Sequence, residues 1–457
     1  MSKSKLYTAV FLMCIAVAFT SCKAGNQRLF LYQTDPEVRA LVENNHPTYP
    51  DARFIVFSDP HYFAPELGTQ GSAFEDYLRQ DRKMLREGPE IFNAFVDDIK
   101  NVTADFVILC GDMTKDGELE SHRQVAGLLA AVEQTGKKVY VVPGNHDVNN
   151  GVAQSFSGDT ASRVANVDPQ EFKNIYKNFG YSEAIAADDN SLSYIVEPAP
   201  GLWVFALDSC RYRENAADGP PITDGKFYDA TLGWIEQMLI KAIQQNKAVI
   251  GCMHHGVREH FPSNEKYFGD YLLDEFEPIS KMFAAYGMRF VFTGHYHAQD
   301  ITGKTWNSGL PDHFLFDIET GSLATYPVPW RKVSISDQKM AIASHRITAI
   351  DSHPDDFPDF AYQFVLNGMT DIINAKLAGY GVSKKDQELL TPQISLAYVT
   401  HLQGDEQKPD HYLDFTGVSP LGVLVGEVEG DLVRGWYTDL PPKDNDLVIN
   451  MSTGVVD

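Results

Sequence analysis

Cysteine is scarce in this chain, five in 457 residues, and no two of them share a CxxC or comparable spacing. That scarcity excludes a structural zinc knot and a disulfide framework. Cys110 and Cys252 instead fall at the ends of apolar runs, where a small buried thiol packs well. Basic residues are also in deficit: 38 Lys and Arg face 62 Asp and Glu, for a formal charge of -24 spread along the chain. A surface of that sign repels polyanions, so no stable nucleic-acid partner is expected, whereas a small phosphoester steered by a local metal charge is compatible with it. Long apolar runs are missing as well. The one candidate, Leu6 to Phe19, is too short to span a bilayer comfortably.

That run has the form of an export signal, with Lys3 and Lys5 before it and Thr20-Ser21-Cys22 after it. The pattern resembles a bacterial lipoprotein signal, although Phe19 stands where Leu is usual, three residues before the lipidated Cys. The resemblance implies that residues 1–22 are signal and lipobox. The mature chain would then reach the membrane through acyl chains on Cys22, in a bacterial cell envelope, periplasmic or surface-exposed. Residues 23–50 read as a linker or strand.

What the chain has in plenty is short apolar segments. With 44% apolar and 12% aromatic residues it can build one large core and a second small one. Arg53–Ser58, Asp105–Cys110, Lys138–Val142, Leu202–Leu207, Ala248–Met253 and Arg289–Thr293 read as central strands. Glu118–Glu133, Asp229–Ile243 and Glu275–Tyr286 carry helical spacing between them. Their alternation specifies an α/β domain over residues 51–350. Tyr62 to Arg86 is a long insertion with aromatics among charges, suited to a lid or a substrate wall, and Asn149 to Asp168 reads as a loop over the site. From 351 to 457 the rhythm changes to an amphipathic stretch near Phe360 to Leu377 and two strand-like runs, Gly422–Val428 and Leu432–Tyr437. This region is expected to be a small α+β accessory extension.

Five motifs lie just beyond the proposed strands: Asp59-Pro60-His61, Gly111-Asp112, Gly144-Asn145-His146-Asp147, His254-His255 and Gly294-His295-Tyr296-His297. Loops leaving one edge of a sheet converge, so ligands distant in sequence can meet there. If the chain stays extended, Asp59 and His61 project from one face. Gly111 permits a tight turn, and the two oxygens of Asp112 suffice to hold two cations roughly 3.5–4 Å apart. Asn145 adds a neutral oxygen. His254, His295 and His297 add imidazoles, which suit Zn, Fe and Mn better than the oxygen-only sites of Ca or Mg. Each motif alone is weak; five in one order, placed alike, indicate a two-metal site.

The set DxH, GD, GNH[DE], H and GHxH resembles that of the calcineurin-like metallophosphoesterases, over about residues 50 to 330. The resemblance implies a four-layer α-β-β-α sandwich with a dinuclear site at one edge of two facing sheets. It implies Asp59, His61 and His297 on one metal, Asn145, His254 and His295 on the other, and Asp112 shared. The metals implied are two divalent or mixed-valence transition ions, Mn, Zn or Fe, with hydroxide between them attacking a phosphomonoester or phosphodiester in line with the leaving oxygen. His146 is expected over the phosphate as the catalytic acid, working beside Asp112, with Asp147 placed to orient the region. Gly256 stands where many relatives have Pro, so His254 is preferred to His255 as the ligand without closing the choice. Arg258, His260, Tyr296 and Arg211 are candidate substrate contacts, each with a solvated or ion-paired alternative. A competing reading is an envelope-anchored, metal-dependent glycan- or protein-binding module on a phosphoesterase scaffold; the completeness of the motif set argues against it.

Overall fold

Residues 54–57 are apolar on both sides of their strand because two different layers cover them. In the computed structural model, which describes residues 28–79, 81–306 and 313–457, Phe54 and Val56 of β1 (Ala52–Phe57) face a second sheet while Ile55 and Phe57 face helices. A strand covered on both faces has no polar alternation to show. β2 (Phe106–Leu109) and β3 (Lys138–Val141) follow the same rule and run parallel to β1. A short hairpin, β4 (Gln154–Ser157) and β5 (Thr160–Arg163), follows where the sequence suggested an open loop.

The second sheet is built from β6 (Ala186–Ala187), β7 (Tyr194–Ala199), β8 (Leu202–Ala206), β9 (Ala248–Cys252), β10 (Phe290–Thr293), β11 (Asp300–Thr305) and β12 (Phe314–Glu319), in the order β11-β12-β10-β9-β8-β7-β6. Its centre is parallel and its edges antiparallel. β13 (Pro329–Ser336), β14 (Lys339–Arg346) and β15 (Asp446–Asn450) complete the first sheet in the order β15-β14-β13-β1-β2-β3. Between the sheets, Phe54 meets Phe292 edge-on with ring centroids 5.3 Å apart, amid Ile108, Val204, Ile250 and Ile318. Outside the first sheet lie the helices Gly88–Ile99 and Leu119–Glu133, and outside the second lie Asp229–Gln244 and Phe276–Ala285. The result is an α-β-β-α sandwich.

Two expectations change and a third gains detail. From residue 28 the N-terminal segment is neither linker nor strand but two short helices, Leu31–Thr34 and Pro36–Glu43. Asp35 caps the second by accepting the N–H groups of Glu37 and Val38. The aromatics of the Tyr62 to Arg86 insertion form a small core of their own, with Phe63 and Phe74 packed on Phe156 of the hairpin. The runs near 422–428 and 432–437 are helices, Pro420–Val428 and Gly430–Trp436. Pro420 in the first turn and the Ser419 hydroxyl accepting from Gly422 start the first of them. Short apolar runs do not declare their type by period alone.

Residues 351–457 are also not an appendage. The helices Phe357–Gly379 and Lys384–Leu402 pack with the two short ones around Phe261 and Tyr296. The chain then returns as β15, antiparallel to β14, and buries Leu447 and Ile449 between the two sheets. Arg331, fully buried, fastens this return: it donates to the carbonyls of Asp444 and Glu319, each at 2.6 Å. No helix among the described residues is long and apolar enough to cross a membrane; the export signal and Cys22 lie outside them. Because β15 belongs to the core, Ile449→Ala is expected to destabilise the whole protein by about 2–5 kcal/mol. In urea unfolding this should appear as one lowered transition; an unchanged sandwich transition beside a separate loss of the C-terminal helices would show that the regions fold apart.

Candidate metal centre

The strands that carry the motifs end at one edge of the sandwich, and the chain must turn at once to keep their side chains there. Five of the seven candidate ligands do so with positive φ: Asp59 at 50°, His61 at 39°, Asp112 at 48°, His295 at 80° and His297 at 73°. Asp59 and His61 are therefore not an extended pair, as their spacing suggested. Each such residue costs on the order of 1–3 kcal/mol and persists only where neighbours over-determine it. Here the Asp59 N–H donates to Gly111 O (3.1 Å), His61 N–H to Asp112 O (3.0 Å) and Gly294 N–H to His254 O (3.0 Å). Close approach does the rest. A Cβ on Gly144 would lie 2.1 Å from the Asp112 Oδ1, and one on Gly294 would lie 2.4 Å from the Asp59 Oδ2.

Two clusters result. In the first, Asp59 Oδ1 is 3.4 Å from His297 Nε2 and 3.8 Å from His61 Nε2, and the two imidazole nitrogens are 3.0 Å apart. In the second, His254 Nε2 is 3.1 Å from Asn145 Oδ1 and 3.4 Å from Asp112 Oδ2, with His295 in the same group. Asp112 stands between them, because its Oδ2 is also 3.5 Å from His61 Nε2. Asp59 Oδ1 and His295 Nε2 are buried with no hydrogen-bond partner, and that isolation is costly unless a cation takes it up. The residues fit a dinuclear divalent-metal site with mixed imidazole and carboxylate donors.

The electrostatics of His61, His295, His297 and Asp112 agree with ligand duty, whereas His254 must give up a proton to a cation. Burial holds His61, His295 and His297 below the usual imidazole range, so each keeps a free nitrogen lone pair. Burial alone would raise Asp112, but the imidazoles of His254, His146 and His61 hold it well below the carboxylate range. The same pairing works in reverse on His254: burial opposes its charge, and the Asp112 carboxylate prevails, lifting it to about 9. His254 Nδ1 lies 2.8 Å from the Cys110 carbonyl, the usual outer partner of a metal-binding imidazole. The neighbouring His255 has both nitrogens engaged, with the Ser209 hydroxyl (2.7 Å) and the Thr223 carbonyl (2.8 Å). His254, not His255, faces the cluster.

His146 sits over this floor. Its N–H donates to Asp112 Oδ1 (2.9 Å), its Nδ1 pairs with Asp116 Oδ1 (2.9 Å), and its Nε2 lies 4.0 Å from Asp112 Oδ2. Burial lowers the affinity of His146 for a proton, but Asp112 and Asp116 more than offset it. Asp116 is a functional residue that the motif reading missed; its one signal was its position four residues past Asp112. Buried Lys115 pairs with it and with Glu118. Asp147 works on the backbone, accepting the N–H groups of Gly144 (2.8 Å), Met113 (3.1 Å) and Thr114 (3.0 Å), which ties two motif loops together. Burial, helped by the Asp112 charge, pushes Asp147 up to about 7.

Above the floor opens a cavity of about 150 Å³ whose wall includes Arg82, Lys83, Tyr271, Tyr296 and Tyr398. Of the four candidate substrate contacts, Tyr296 alone is in that wall, and its hydroxyl accepts from the Trp436 indole at 2.8 Å. Arg258 points elsewhere, paired with Glu277 at 2.7 Å and stacked against Phe276 and Trp306. His260 is buried among Asp300, Glu319 and Asp317 at 3.0, 3.1 and 3.5 Å, where those carboxylates hold it charged against the pull of burial. Arg211 pairs with Glu214 at 2.7 Å. Each of the three found a carboxylate of its own, a need that sequence position does not reveal. Arg82 and Lys83 were within the insertion read as a possible wall, whereas Tyr398 comes from the C-terminal helices and carried no signal.

A family model described as calcineurin-like phosphoesterase matches residues 52–299. Among solved structures, a dimetal phosphatase from Danio rerio is similar at 15% identity and a TM-score of 0.44, covering 66% of this chain and 98% of its own. No curated protein matches the sequence. From the geometry of the Gly144 contact, Gly144→Ala should lower bound metal from about two ions per chain to less than about one, with the circular dichroism of the sandwich retained. Wild-type metal content, measured by plasma mass spectrometry after dialysis, would show that this close approach is dispensable.

Proposed function

The chain belongs to the calcineurin-like phosphoesterase family and is a metal-dependent phosphoesterase; on that premise we propose that it hydrolyses phosphomonoesters or phosphodiesters by in-line displacement at phosphorus. The observation that supports this most directly is the single Asp112 carboxylate oxygen 3.4 Å from His254 and 3.5 Å from His61, a bridge between two ligand groups. Bound divalent cations would lower the pKa of water and neutralise charge on the phosphoryl oxygens. Asp59, His61 and His297 would hold one of them, and Asn145, His254 and His295 the other.

The remaining work falls to side chains of the wall. Asp116 engages Nδ1 of His146 and fixes the ring, so that Nε2 faces the cavity and can give its proton to the departing oxygen. Lys115 keeps Asp116 ionised against burial and so acts as a positioning residue at one remove. Arg82 and Lys83 stand where the charge of a phosphoryl group and its substituent would gather. The location proposed, anchorage in a bacterial envelope through Cys22, rests on residues 1–22 of the sequence.

Purified protein supplied with Mn or Zn and assayed with p-nitrophenyl phosphate and bis-p-nitrophenyl phosphate should turn over at least one of them, and Asp112→Asn should abolish it. Equal background from both proteins across a broad ester panel would favour the binding-module reading. His146→Ala is expected to keep its metal and lose roughly 10²-fold or more in kcat; unchanged turnover would remove it from the mechanism. Expression in a bacterial host followed by intact-mass analysis should show a chain beginning at an acylated Cys22. An unmodified mature chain that begins elsewhere would dismiss the anchor.

A further inference from the structure

The metal cavity has a neighbour of opposite character. A second cavity of about 230 Å³ lies under the C-terminal helices and shares Arg82, Phe268 and Tyr398 with the first. Beyond those three residues its lining is mainly apolar, with Ile373 and Leu377 on one helix and Leu432 on another, and its two charged members, Lys376 and Glu429, pair with each other at 3.8 Å. Arg82 marks the boundary: it donates to the Tyr398 hydroxyl at 3.0 Å, and its guanidinium carbon sits 5.3 Å from the centroid of the same ring. One side of that pair looks onto the polar floor, the other onto aliphatic carbon.

We infer that the substrate is a phosphoester carrying a linear alkyl or acyl chain, with the phosphoryl group over the metal ligands and the chain running past Arg82 into the apolar cavity. This rests on the phosphoesterase reading and narrows its substrate class. An apolar cavity of this kind gains little from water and much from a hydrocarbon guest. Its place next to the reaction site, across the shared Arg82, Phe268 and Tyr398, determines which guest, since a substituent on an ester oxygen that passes Arg82 enters it. A second observation agrees. Among the described residues, six of the nine exposed large apolar side chains lie between 372 and 428, and Leu421, Leu424 and Val428 form one stripe on the helix Pro420–Val428. Ile372 and Tyr380, also exposed, line the apolar cavity itself. In the reaction, the oxygen of water forms the new P–O bond, the P–O bond to the chain-bearing alcohol breaks, that alcohol leaves with a proton from His146, and the proton lost by the water passes to solvent, from which His146 is recharged.

The test compares butyl and decyl phosphate as monomers in solution, with p-nitrophenyl phosphate as reference. Decyl phosphate should be favoured at least about tenfold in kcat/KM, because six added methylenes leave water. Ile373→Trp, which fills the cavity, and Ile372→Glu, at a half-exposed position that tolerates change, should each reduce that preference to under about threefold with p-nitrophenyl phosphate turnover kept. Equal kcat/KM for the two alkyl phosphates in the wild type, or an intact preference in both variants, would overturn the inference while leaving the phosphoesterase reading in place. Should no ester be turned over with Mn or Zn, that reading fails by itself. Calorimetric binding of the same two phosphates then decides the chain site: tighter decyl binding that is lost in the variants upholds it, and equal binding refutes it.

Discussion

Everything at the metal centre depends on one constraint: side chains from strands of two separate sheets must turn back over a common edge within a residue or two of their strands' ends. The left-handed backbone at Asp59, His61, Asp112, His295 and His297 is the physical form of that constraint. Five strained residues together cost on the order of 5–15 kcal/mol, as much as the net stability of many domains. The loops survive because the layers beneath them hold the strand ends in place. Phe54, Val56, Ile108, Val204, Ile250 and Phe292 bury the space between sheets, and the carbonyls and N–H groups of the motif loops then bond to one another rather than to water. The core is therefore what lets the site be strained.

The same economy governs charge. Asp112 and Asp147 are both buried and close enough for the charge of one to act on the other, yet they meet different fates. Asp112 lies among imidazoles and stays ionised, ready for cations; Asp147 receives backbone N–H groups and sits where burial and Asp112 both disfavour its charge. Away from the centre, His260 is surrounded by Asp300, Asp317 and Glu319, and Arg331 donates from both terminal nitrogens to carbonyls of β12 and of the returning C-terminal chain. Buried charges in this protein are compensated locally, and cationic residues that looked free in sequence, such as Arg258, have been recruited to that task.

How much of this could be read beforehand follows from the range of the forces involved. Strands between two covering layers announce themselves as unbroken apolar runs, so six central strands, with the helices Leu119–Glu133, Asp229–Gln244 and Phe276–Ala285, were legible to within a residue or two, whereas Gly88–Ile99 was not. The side chains that cluster at the centre were legible because metal chemistry needs rare side chains in close spacing. Asp116 was not, since a lone carboxylate four residues from a ligand has no pattern of its own. The backbone of Asp59 and His61 was misjudged because strain is invisible in composition. The helices Pro420–Val428 and Gly430–Trp436 read as strands in sequence because runs of six or seven residues have too few turns to show their period. The return of β15 to the core sheet depends on a contact across about a hundred residues, which no local signal encodes.

That return also explains a division of labour. The floor of the site is made by motifs between residues 59 and 297, while part of the wall is Tyr398, carried by one of the C-terminal helices that pack together around Phe261 and Tyr296. Those helices lie outside the segment that the family model matches. They are held in register by Tyr296, which sits between two ligand histidines and binds the Trp436 indole, and by β15. A residue inside one of the motifs thus anchors the C-terminal helices through its hydroxyl, so that the metal-ligand cluster and the wall above it are positioned by the same short loop.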